Sequence, residues 1–183
     1  MTDLPAGVLC ADCQRLAPAF TRARSPFHYA FPVDTALKAM KFRAQLMYAP
    51  AFAALLLPVL KSEFTDCDAL VAVPLHRWRH IKRGFNQADE LCKALAKGAE
   101  LPVIDSAIRL RATKSQSGLG SVVRRRNLRG AFAVGRIRAR YPLIVDDVIT
   151  TGATCEHLAQ ALLGAGAKKV GVLTVARSST LAI

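Results

Sequence analysis

The sequence predicts an α/β protein with a mostly parallel central sheet flanked by helices, and three observations carry that expectation. Ala69–Val73, Leu143–Val145 and Val170–Val175 are short continuous apolar runs, the pattern of strands buried on both faces. Cys155–Leu163 lies between the last two and has helical spacing, with Gly164 and Gly166 to end it. Strand, helix, strand in that order is a βαβ unit, which implies a right-handed crossover and parallel pairing.

The remaining elements follow in order. Residues 1–33 read as an irregular lead, and 34–183 as the main domain. A helix is expected from Asp34, its N-cap, to Tyr48, with Leu37, Met40 and Phe42 among its apolar residues. A second helix should follow Pro50. The apolar run Ala49–Leu60 falls well short of the roughly 20 residues a membrane span needs, so it reads as a buried helix or helical hairpin. Pro74–Gly84 reads as a loop. Phe85–Lys97 reads as a helix with Phe85, Ala88, Leu91, Cys92 and Leu95 on one side and Gly98 at its end. A further strand should include Ala107–Leu110.

Composition bounds the function classes. With 52% apolar and 21% charged residues in 183, the chain can bury one core. No amino-terminal stretch has the basic, apolar, small-residue order of a signal peptide, so a cytoplasmic location and no membrane span are expected. The five cysteines form no disulfide framework, which fits a reducing compartment, and Cys92 and Cys155 read as small core residues. The net charge of +13 is uneven. Between Asp105 and Asp146 there are ten lysines and arginines and no acid, which makes polyanions the natural partners.

The chemistry concentrates after Val145. A buried strand ends in Asp146 and Asp147, and the loop Thr150-Thr151-Gly152-Ala153-Thr154 leads into a helix. Gly152 allows a tight turn and a close approach to a ligand. Amides at the helix amino terminus, with the threonine hydroxyls, favour a phosphate. The two carboxylates suit donors or cations instead: ribose hydroxyls, or a metal carried by the ligand. A phosphate acceptor beside a diol acceptor has the shape of a ribose 5-phosphate.

This segment resembles the type I phosphoribosyltransferases. The resemblance narrows with Val73-Pro74-Leu75-His76-Arg77, Arg83-Gly84-Phe85-Asn86-Gln87-Ala88 and Arg124-Arg125-Arg126-Asn127-Leu128-Arg129-Gly130-Ala131-Phe132. Together these are similar to the signature segments of the ComF family of competence-associated, phosphoribosyltransferase-like proteins, from about residue 7 onward. The resemblance implies the type I phosphoribosyltransferase fold with a small amino-terminal appendage, and phosphoribosyl pyrophosphate with Mg²⁺ as ligand.

It also assigns roles. Asp146 and Asp147 would be the catalytic acids. Leu75, His76 and Arg77 would contact pyrophosphate, and Lys114 would lie on a lid closing over it. Arg124, Arg125, Arg126 and Arg129 would close on the ligand or grip a nucleic-acid backbone. Asn86 has a simpler use as a helix cap. Single-stranded DNA, a competence helicase and an inner-membrane DNA channel are the partners implied for a role in natural transformation. A nucleobase or amine phosphoribosyltransferase of salvage, or a non-catalytic sensor of phosphoribosyl pyrophosphate, are the alternatives. No residue stands out as a general base for an acceptor, so turnover is not established.

Cys10 and Cys13 have the spacing of half a zinc site. The resemblance implies a four-cysteine finger, of which only the second pair is here, so no bound zinc is expected.

Overall fold

The computed structural model describes residues 17–110 and 130–178. Its centre is a parallel sheet whose strands have the continuous apolar sequences expected of positions covered on both faces. In chain order the elements are β1 (Arg22–Arg24), β2 (Phe27–His28), α1 (Val33–Arg43), α2 (Tyr48–Glu63), β3 (Ala69–Ala72), α3 (Arg77–Arg83), α4 (Gln87–Ala99), β4 (Ala107–Arg109), β5 (Phe132–Val134), β6 (Pro142–Ile149), α5 (Ala153–Gly164) and β7 (Gly171–Arg177). The sheet runs β1–β7–β6–β3, with β2 also on β7, and every pairing in it is parallel. β4 and β5 form a separate antiparallel pair.

Two cores clasp the sheet, because alternate residues of each strand point to opposite faces. On one face Leu143, Val145 and Leu173 pack against Leu37 and Met40 of α1, Leu56 of α2 and Leu91 and Leu95 of α4. On the other, Ile144 and Val172 meet Cys155, Leu158 and Leu162 of α5 and Phe132 of β5. Cys67, Cys92 and Cys155 are all buried. Burial raises the Cys67 thiol to about 11 and the Cys92 thiol to about 12, and pushes Cys155 up as well. All three are inert core residues.

Several boundaries differ from the sequence expectation for identifiable reasons. The lead is not irregular throughout: β1 and β2 add to the free edge of β7, from Arg22 opposite Gly171 to His28 opposite Arg177. Asp34 is not an N-cap. It sits in the first turn of α1 and pairs with Lys38 at 2.6 Å. α1 stops at Arg43 because Ala44 turns left-handed (φ 52°), and α2 then starts before Pro50. The stretch Pro74–Gly84 contains α3, since no proline or glycine interrupts residues 75–83. α4 begins at Gln87, runs through Gly98 to Ala99, and is capped by Glu100, also left-handed (φ 56°). β6 does not close at the acid pair. It continues to Ile149, carried by its pairing with β7.

Gly171 opens β7 where Leu143 and Phe64 converge: a Cβ there would lie 2.8 Å from Leu143 Cδ1 and 2.9 Å from Phe64 Cε1. Gly171→Ala should therefore cost about 1–3 kcal/mol by overpacking, and Gly171→Val more. Chemical denaturation, with Gly164→Ala as the uncrowded comparison, checks the difference.

Candidate functional site

The site is built where neighbouring strands stop at different heights. β3 pairs with β6 only from Ala69 opposite Pro142 to Ala72 opposite Val145, and Val73 N–H donates to Val145 O at 3.0 Å. β7 stays with β6 to Ile149 opposite Arg177. Asp146 and Asp147 thus lie on backbone fixed from one side, beyond the last β3 contact. Carboxyl ends of parallel strands are where open α/β sheets bind ligands.

Strand alternation divides the two acids. Asp147 lies on the face of α1 and is 4% exposed. Its Oδ1 accepts from Val148 N–H at 2.9 Å. Its Oδ2 is buried with no hydrogen-bond donor, and Lys41 Nζ of α1 stands 3.6 Å away. Asp146 lies toward α5, where its charge helps raise Cys155. Its Oδ1 accepts from Asp147 N–H at 2.9 Å. Burial first, and then the neighbouring Asp147 charge, hold the Asp146 carboxyl well above the ordinary carboxylate range, with Lys41 pulling weakly the other way.

The turn after β6 leads directly into α5. Gly152 sits at φ 74°, a conformation that costs a side-chain-bearing residue energy, and caps α5. The helix ladder starts with Glu156 N–H to Gly152 O at 2.9 Å, so the first amides of α5 have no partner within the helix. Ala153 N–H reaches Thr151 Oγ1 only at 3.5 Å. Thr150 is exposed, Thr151, Gly152 and Thr154 are half-buried and Ala153 is buried. The lead braces this turn: Ala19 N–H donates to Glu156 Oε2 at 2.8 Å, and Phe20 Cζ would lie 3.9 Å from a Cβ on Gly152.

The loop after β3 reaches the same end of the sheet. Leu75 and His76 are half-buried, His76 bridges to Arg109, and Arg77 begins α3 exposed. Trp78 N–H donates to His76 Nδ1 at 3.3 Å. Asn86 caps α4 through Ala88 N–H and ties it to β3 through Nδ2 to Val73 O at 3.0 Å. Gln87, next to it, starts α4. It is buried and accepts from Arg83 at 2.7 Å. Lys114, Arg124, Arg125, Arg126 and Arg129 lie outside the described residues, as do Cys10 and Cys13.

Sequence reasoning missed Lys41 and the Ala19–Phe20 brace. Lys41 lies four residues after the core residue Leu37, on the border of the buried stripe of α1. That spacing is legible, but the strand it borders is not.

A doubly covered parallel sheet with paired acids and a glycine-turned helix start at its carboxyl end defines a phosphoribosyltransferase-type domain. The phosphoribosyl transferase domain model matches residues 81–181. The chain belongs to this family, and within it to the competence-associated ComF proteins. It is 38% identical over 176 residues to the DNA utilization protein YhgH of Escherichia coli O157:H7, covering 92% of this chain and 78% of that protein. It is 31% identical over 179 residues to Competence protein F of Haemophilus influenzae, with 92% and 78% covered. Among solved structures, glutamine phosphoribosylpyrophosphate amidotransferase from B. subtilis is similar over 69% of this chain and 26% of its own, at TM-score 0.46 and 19% identity. Among the described residues no helix is long and apolar enough to cross a membrane.

Two outcomes test these electrostatics. Because the folded pKa of Asp146 lies above its unfolded value, the native state holds a proton that the unfolded chain has lost within that window. Stability should therefore fall as pH rises through the window and be fully recovered below it. Asp146→Asn, which mimics the protonated acid, should flatten this dependence and stabilise the ligand-free protein at neutral pH by about 1 kcal/mol. Urea unfolding from about pH 4 to about pH 8 reads both, and parallel curves for variant and parent would contradict the burial argument. Lys41→Met leaves the buried Asp147 oxygen without its cation and should cost about 1–2 kcal/mol in the same assay.

Proposed function

We propose that this chain binds phosphoribosyl pyrophosphate together with Mg²⁺, and that it acts in natural transformation by handling single-stranded DNA. The observation that carries the ligand is the juxtaposition of Asp146 and Asp147 on β6 with the Thr150–Thr154 turn into α5. The turn offers amides and hydroxyls to the 5-phosphate, and the acids face the diol of the ribose. Leu75, His76 and Arg77 lie where the pyrophosphate would extend.

A divalent cation fits this donor set. Hard oxygen donors are what Mg²⁺ takes, and it binds through one or two carboxylates plus ligand phosphates. Asp147 faces α1, where Lys41 Nζ stands 3.6 Å from its Oδ2. Asp146, half-buried on the other side of β6, is the carboxylate that would hold the cation, which when bound neutralises charge on the pyrophosphate. Among the described residues no three His, Cys, Asp or Glu side chains form a metal cluster, so ligand oxygens would complete the coordination.

Transfer, if an acceptor is present, breaks the bond from ribose C1 to the pyrophosphate oxygen and forms one from C1 to the acceptor. Positive charge develops on the ribose, and the fixed carboxylates favour it. The names of the relatives, DNA utilization protein and Competence protein F, support the nucleic-acid side of the proposal. The net charge of +13 gives it a physical basis.

The test is thermal stabilisation. Phosphoribosyl pyrophosphate with Mg²⁺ should raise the melting temperature of the parent. At a hundredfold excess over Kd the gain is about 2.7 kcal/mol. The double variant Asp146→Asn, Asp147→Asn should show no rise. Equal protection of both proteins would refute the site.

A further inference from the structure

Helix α3 reads Arg-Trp-Arg-His-Ile-Lys-Arg, four cations and a histidine with no acid. It also carries Trp78, the chain's only tryptophan, 73% exposed, and Ile81, 62% exposed. Three residues apart, they share one helix face. Arg77 is exposed at the start of the helix.

A solvated charged surface accounts for the arginines. It does not account for an indole and an isoleucine left in water together on that helix, since such side chains are hydrophobic payloads that favour burial. A partner for this face must offer negative charge and flat unsaturated surfaces together. Single-stranded nucleic acid does both, with phosphates for the cations and unpaired bases to stack on the indole. A duplex keeps its base faces inside the stack, and an acidic protein surface supplies charge without them.

We propose that the face of α3 formed by Arg77, Trp78 and Ile81 is a stacking platform for single-stranded nucleic acid. It rests on the nucleic-acid half of the proposed function and gives it a location on α3. α3 follows directly on the Leu75–His76 loop, at the carboxyl end of β3. A strand lying on it would pass the pyrophosphate side of the phosphoribosyl site.

Trp78 is its own reporter. Titrating the full chain with an oligothymidylate of about twelve nucleotides should quench its fluorescence saturably, while heparin, a polyanion without bases, should not. Trp78→Ala should weaken binding of a labelled oligonucleotide roughly five- to a hundredfold, and Trp78→Phe should recover most of the loss. Both variants should keep full thermal protection by phosphoribosyl pyrophosphate, which also shows them folded. Oligonucleotide binding without any change in Trp78 fluorescence would overturn the platform and move the contact elsewhere. Equal quenching by heparin, or equal affinity for a duplex, would overturn base stacking. No oligonucleotide binding at all, with ligand protection intact, would overturn the platform and the nucleic-acid reading together. Lost ligand protection in the parent, with quenching intact, would overturn only the phosphoribosyl reading.

Discussion

Two adjacent carboxylates placed beyond the last contact of a neighbouring strand repel each other, and burial denies them the water that would screen the repulsion. In this fold Asp146 and Asp147 are held there by β7, which follows β6 past the point where β3 departs. The relief is partial. Each Oδ1 takes one backbone amide, Lys41 stands beside Asp147, and the Asp146 carboxyl is pushed above the ordinary carboxylate range. Functional sites commonly retain local cost of this kind.

Much of the surrounding architecture serves that placement. β1 and β2 cover the outer edge of β7, stiffening the strand that fixes β6. The same lead segment then reaches α5 through Ala19 and Glu156 and lies against the Gly152 turn through Phe20. Asn86 anchors the start of α4 to the end of β3, where the Pro74–His76 loop begins. The Gly152 turn and the loop after β3 are therefore both tied to the strand ends.

The central strands and the acid–threonine–glycine turn were legible because their signals are local. A continuous apolar run means a strand covered twice, and a glycine between threonines before a helix means a turn with free amides. Element ends were less legible. Ala44 and Glu100 adopt left-handed backbone that their residue types do not announce, so α1 ended early and α4 late. β6 outran its apolar core because pairing with β7, a long-range contact, decides where it stops. The lead strands and Lys41 were invisible for the same reason: their partners lie more than 100 residues away in sequence. Exposure of Trp78 was equally unreadable, since an isolated tryptophan among arginines fits a buried anchor as well as an open one.

The most direct measurement is a calorimetric titration of the protein with phosphoribosyl pyrophosphate in the presence of Mg²⁺, repeated with ribose 5-phosphate as competitor. If the Gly152 turn takes the 5-phosphate and the acids take the ribose, binding is saturable at one ligand per chain and ribose 5-phosphate displaces it. If no saturable heat appears, or if pyrophosphate competes while ribose 5-phosphate does not, the account of Asp146, Asp147 and the turn that follows them is wrong.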